Sequence, residues 1–224
     1  MSGVMVTLPG GRMKEVPAGT TLEEISQLDG VMDSPSPVMA AMVNDKITEL
    51  SVPLMENANV VFLTLGHMDG YRIFQRSLIM LFLRSAMDVL GMETKIYVKH
   101  SIGNGLYCEI ENSPEYEKNP EESVGKIKER MWELVEHPIT QMLMDLPDAM
   151  EKARQMGLNA RLRLFQYRRF SIVHMYQFGK YQDYLYGFML PNSSRLGHFD
   201  LCTYEGGVLL LMPTRRYPHT VKPF

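Results

Sequence analysis

The residue types that most often do chemistry are all present here, but their spacing brings few of them together. Histidine is the usual metal ligand and the usual proton carrier near neutral pH. The six histidines, His67, His100, His137, His174, His198 and His219, are scattered, and no two stand at metal-ligand spacing. They read as surface or hydrogen-bonded core histidines. No Gly-x-x-x-x-Gly-Lys-Ser/Thr string supplies a phosphate loop, and Gly103-Asn104-Gly105 reads as a hairpin turn. Two clusters remain. Tyr181, Tyr184 and Tyr186, facing Arg76, could bind something flat or anionic by stacking and charge. Arg161, Arg163, Arg168 and Arg169, interleaved with Phe165, Tyr167 and Phe170, mix cations and rings as RNA-contacting surfaces do. Alternating strand faces produce the same pattern by default.

The bulk composition narrows what those clusters can serve. The 224 residues are 45% hydrophobic and 22% charged, with a net charge of −3, an ordinary globular balance. Such a charge excludes bulk attraction to nucleic acid or to an anionic membrane, so any RNA contact is weak. Charge is uneven: through Gly66 there are three Lys/Arg and eight Asp/Glu, and beyond it 20 and 18. An acidic front and a near-neutral rear suit two modules. The apolar stretch from Ser77 to Leu90 is broken by Arg84 and Asp88, which argues against a membrane span. Cys108 and Cys202 are too few for a disulfide framework, so free thiols in a reducing cytoplasm are expected. The 19 methionines read mostly as core filler.

Residues 1–66 show strand signals at Val4–Leu8, Met13–Val16, Val38–Val43, Ile47–Leu50 and Val60–Thr64. A short helix opening at Thr20-Thr21 lies between the second and third strands, with Glu23 and Glu24 at the positive end of its dipole. That is the β-grasp order. Residues 70–212 begin with a helix over 71–90, its apolar positions recurring every three or four residues and Gly91 as its cap. A hairpin follows (Lys95–Lys99 and Leu106–Ile110), then a charged loop over Pro114–Pro120 and an amphipathic helix over 121–135. A helix opens at Pro147, Gly157 closes it, and strands are expected at Arg161–Phe165 and Ser171–Phe178. A last hairpin turns over Glu205-Gly206-Gly207.

Within this pattern, "VTLPGGRMKEVPAGTTLEEIS" and "VMAAMVNDKITELSVPLMENANVVFLT" resemble a TGS domain, the N-terminal module of threonyl-tRNA synthetases. The strings "GYRIFQRSLIMLFLRSAMDVLG", "SIGNGLYCEIE" and "SVGKIKERMWEL" are similar to the editing domain that follows it in that family. The implied fold is α+β, a β-grasp domain followed by an α+β editing-like domain. Editing in that family uses His-x-x-x-His on the first helix and Cys-x-x-x-His near the end. The matching positions here are Arg76, Met80, Leu185 and Met189. Arginine is no base at neutral pH, and methionine and leucine move no protons. The resemblance therefore implies no catalytic residues and no metal. A residual ligand cleft would be lined by Arg76, Met80, Tyr107, Tyr184, Leu185, Tyr186 and Met189.

The strings "LFQYRRFSIVHMYQFGKYQDYLYGFMLP" and "FDLCTYEGGVLLLMPTR" look more like the synthetase-like region of bacterial nucleoside (uridine) kinase-like proteins. In those a P-loop kinase domain follows, and the end "PTRRYPHTVKPF" (213–224) reads as the linker to it. That resemblance implies an accessory region, sensing a small ligand or setting homo-oligomerisation, with ATP and magnesium used only by the kinase domain as partner. The alternative is an editing-dead, RNA-binding relative of threonyl-tRNA synthetase.

Overall fold

The computed structural model describes residues 3–32, 36–155, 159–167, 169, 171–184 and 187–224. Over these residues it is a mixed α+β structure with three sheets. The first sheet holds β1 (Gly3–Thr7), β2 (Met13–Pro17), β3 (Val38–Val43), β4 (Lys46–Thr48) and β5 (Ala58–Thr64), in the order β2-β1-β5-β3-β4. β5 lies at its centre, parallel to β1 and antiparallel to β3. The short helix α1 (Leu22–Ser26) starts where its residues demand. Thr21 Oγ1 accepts from the Glu24 amide at 3.2 Å, and Glu24 Oε2 accepts from the Thr21 amide at 2.8 Å. This reciprocal cap satisfies two amides that a five-residue helix could not spare. Leu22 and Ile25 of α1 then pack with Val4, Val6, Ala41 and Val60 on one face of the sheet.

The opposite face of that sheet is covered by α2 (Met68–Leu90), the helix around which the rest is built. Met39 and Ala40 of β3, with Leu63 of β5 and Leu65 just after it, share one core with Ile73, Phe74, Leu78 and Leu81 of α2 and with Leu106, Ile127 and Leu210 further on. This explains why β3 is a run of buried residues: both its faces are covered. Gly70 makes the approach possible. A Cβ there would stand 2.1 Å from the Thr64 carbonyl oxygen. Gly91, at φ 95°, ends the helix.

Beyond α2, the strands β6 (Lys95–Ile102) and β7 (Gly105–Glu111) form a hairpin. They join β11 (Asp200–Tyr204) and β12 (Gly207–Leu211) in the order β11-β12-β7-β6. Pro114–Pro120 is not all loop. Ser113 caps a short helix α3 (Pro114–Lys118), which buries Tyr116, before α4 (Pro120–Glu133) packs on α2. The third sheet contains β8 (Ile139–Asp145), β9 (Ile172–Phe178) and β10 (Tyr181–Asp183), in the order β10-β9-β8. Helices α5 (Leu146–Gln155) and α6 (Asn159–Gln166) cover one of its faces. Gly157, expected as the end of α5, lies outside the described residues.

The Arg161–Phe165 strand expected from alternation is instead part of α6. Leu162 and Phe165 are three residues apart and share a helix face, which packs on Ala149, Val173 and Met175. A short Arg-Leu-Arg-Leu-Phe run fits both periods, and the sheet beneath selects the helix. Residues 213–224, expected as a linker, turn back on the four-stranded sheet. Asn104 Nδ2 donates to the carbonyls of Met212 and Lys222, each at 3.2 Å, and the Phe224 ring meets Tyr204 edge-on.

Candidate functional site

The expected cleft residues that are described divide into three groups. Arg76 and Met80 lie one turn apart on α2, and the chain segment 187–190 runs beside them. The Arg76 Nε–H donates to the Phe188 carbonyl at 2.9 Å, and the Leu190 amide donates to Ser77 Oγ at 2.9 Å. Met189 lies in this segment, so Arg76, Met80 and Met189 do converge. Tyr107 does not join them. Leu106 and Cys108 point into the core, so Tyr107 takes the other face of its sheet, beside His100 and Tyr204. Tyr184 belongs to the core beneath α5 and α6, edge-on to Phe165. Tyr181 is buried, with its hydroxyl donating to Asp183. The proposed tyrosine face toward Arg76 is therefore not formed by Tyr181 or Tyr184. Leu185 and Tyr186 lie outside the described residues.

The converging positions are closed rather than open. Met80 and Met189 are 0% and 1% exposed and belong to the main core. The Arg76 guanidinium is stacked so tightly on Gly187 that a Cβ there would meet its carbon at 2.9 Å. Gly187 adopts φ 100°, which side-chain-bearing residues rarely do. Desolvation lowers the Arg76 pKa from its ordinary value, an effect partly opposed by Tyr176. Arginine starts so far above neutrality that it remains a cation.

Sequence reasoning missed three members of this site, Tyr176, Gln141 and Glu49. Tyr176 on β9 and Gln141 on β8 are cross-strand partners, and the Gln141 side-chain amide donates to the Tyr176 oxygen at 3.0 Å. The Tyr176 hydroxyl in turn donates to Glu49, just after β4, at 2.6 Å and lies 3.1 Å from the Gly187 carbonyl. Burial, reinforced by the Glu49 carboxylate, raises the Tyr176 pKa far above the usual phenol value. It is a hydrogen-bond donor at any physiological pH. The only hint of Glu49 in the sequence is an acid placed directly before Leu50.

The arginine cluster also separates. Arg161 is committed to Asp183, with Nε 3.0 Å and Nη2 3.1 Å from the two carboxylate oxygens. Arg163 and Arg169 are exposed, as is the Tyr167 ring at 87%. Arg168 and Phe170 lie outside the described residues. Nearby, on the sheet face away from α5 and α6, Leu143 (66% exposed) and Ile172 (47%) stand open beside His174. Among the described residues no three His, Cys, Asp or Glu side chains could share a metal ion. Among them, too, no helix is long and apolar enough to cross a membrane.

No family model matches the chain. It is similar to threonine–tRNA ligase of Syntrophotalea carbinolica, 24% identical over 205 residues, covering 91% of this chain and 32% of that protein. Threonine–tRNA ligase 1 of Bacillus subtilis is 27% identical over 207 residues, covering 91% of this chain and 31% of the ligase. The ligase of Aquifex aeolicus is 24% identical over 200 residues, with 88% and 30% covered. The chain thus spans about a third of the length of the curated relatives it matches. These likenesses support a threonine–tRNA ligase-like region, and nothing among them supports a nucleoside kinase connection.

Proposed function

We propose that this chain is a threonyl-tRNA synthetase-like RNA-contacting region that has lost hydrolytic editing. One observation carries the reading. Of the four positions that editing chemistry would need, two are fully buried methionines and one is an arginine bonded to backbone. The fourth is Leu185, which moves no proton. The scaffold is retained around a site that cannot hydrolyse. A first sheet ordered β2-β1-β5-β3-β4, with α1 on one face, fits a β-grasp module of the TGS type. Arg163, Arg169 and the exposed Tyr167 ring offer cations and a stacking surface to a single strand. At net charge −3 the interaction is weak and salt-sensitive.

The test is filter binding and deacylation with threonine-specific tRNA, bare and aminoacylated. The expected result is binding that is lost at moderate salt, with no hydrolysis above the uncatalysed rate. Reversing both charges, Arg163→Glu with Arg169→Glu, should lower the salt slope by about two, one per lost phosphate contact. Turnover of the ester, or no binding even at low salt, overturns the reading.

A further inference from the structure

Glu49, just after β4, brings a carboxylate into the converged site. It is only 9% exposed. Its Oε1 accepts from the Tyr176 hydroxyl at 2.6 Å and from the Met189 amide at 3.3 Å, with Gln141 Nε2 at 3.4 Å. Among the described residues these hydrogen-bond donors are all neutral. A buried carboxylate without a cation is costly unless its surroundings are arranged for negative charge.

Here they are, and the arrangement belongs to the second module. Gln141 donates to the Tyr176 oxygen, which leaves the phenol proton for an acceptor. The Met189 amide and the Phe188 carbonyl are the two ends of one peptide group. In a trans peptide they point in opposite directions. Arg76 donates to that carbonyl at 2.9 Å, so its charge polarises the amide toward Glu49. Tyr176, Gln141, Arg76 and the 188–189 peptide thus form an oxyanion receptor, and only its occupant comes from elsewhere in the chain. A second contact, Arg195 to Glu23 at 2.7 Å, holds the first module independently of Glu49.

We propose that this floor is a binding pocket for a carboxylate or phosphate oxygen that Glu49 occupies in cis. An anionic ligand and the Glu49 side chain then compete for the same donors, and the ligand's apparent affinity is reduced by the fraction of time the glutamate is in place. The shared core of α2 and the first sheet keeps the modules docked while the side chain exchanges. The pocket does not depend on RNA binding, so tRNA assays and this experiment fail separately.

The experiment follows amide hydrogen exchange at Met189 in the full chain by NMR, with Val60 and Leu190 as internal controls. Glu49→Ala should speed exchange at Met189 at least about tenfold, the loss of one charged acceptor, while both controls stay protected. Acetate at about 0.1 M, compared with chloride at equal ionic strength, should restore most of that protection in the variant and change nothing in the parent chain. Inorganic phosphate in place of acetate distinguishes a pocket for planar carboxylates from one for tetrahedral anions. Tyr176→Phe keeps the glutamate but removes its shortest donor, and should also speed Met189 exchange. Parent-like exchange in either variant, or no response of Glu49→Ala to both anions, overturns the proposal.

Discussion

Replacing Arg161 by methionine separates a structural arginine from a nucleic-acid contact. Asp183 is 3% exposed at its side chain and Arg161 32%, and two charge-assisted bonds of 3.0 and 3.1 Å join them. Asp183 also accepts from the Tyr181 hydroxyl at 3.0 Å and from the Tyr184 amide at 2.7 Å. Methionine keeps most of the aliphatic stem, so the loss is mainly of charge. Removing one partner of a buried pair costs about 3–5 kcal/mol, because the other charge is stranded. Two neutral donors remain on Asp183, and Arg161 is partly wet, so about 2–3 kcal/mol is expected here. For a chain of this size that lowers Tm by about 5–10 °C. The assay is urea unfolding followed by Trp132 fluorescence, with Arg163→Met as control. The control is exposed and should stay within about 0.5 kcal/mol of the parent. The double variant Arg161→Met with Asp183→Leu should recover part of the loss, since no unpaired charge then remains. Unchanged stability of Arg161→Met together with weaker tRNA binding would refute the reasoning and return Arg161 to the RNA surface.

Gly70→Ala forces a Cβ to 2.1 Å from the Thr64 carbonyl, a backbone atom that cannot swing aside, and should destabilise by about 3 kcal/mol or more; a melting point within a degree of the parent would contradict that packing. Cys108 is fully buried and its thiol is pushed up to about 12 by that burial, whereas Cys202 is partly accessible. A disulfide reagent at pH 8 should therefore label one thiol quickly in the native chain and both in denaturant, and two fast thiols would contradict the structure. With no three metal-ligating side chains together among the described residues, purified protein should carry no stoichiometric zinc. Elemental analysis finding about one zinc per chain would show a site built by other residues.

Local signals settled what is local. Thr21 with Glu24 is a helix start whatever surrounds it, and the two agree through bonds three residues apart. The glycine turns at 103 and 206 need positive φ, and both hairpins form over them. The identities at positions 76, 80, 185 and 189 exclude proton transfer by side-chain chemistry alone, before any fold is known. Other features depended on partners far away in the chain. The alternation at Arg161–Phe165 fitted strand and helix equally until the sheet of β8 and β9 offered an apolar face to Leu162 and Phe165. Asp183 determined that Arg161 turns inward, from 22 residues away. Glu49 meets Tyr176 across 127 positions and the Met189 amide across 140. No periodicity or propensity carries information over such separations. Burial beneath the first module, together with donors from β8, β9 and the 187–190 segment, decides where that carboxylate goes.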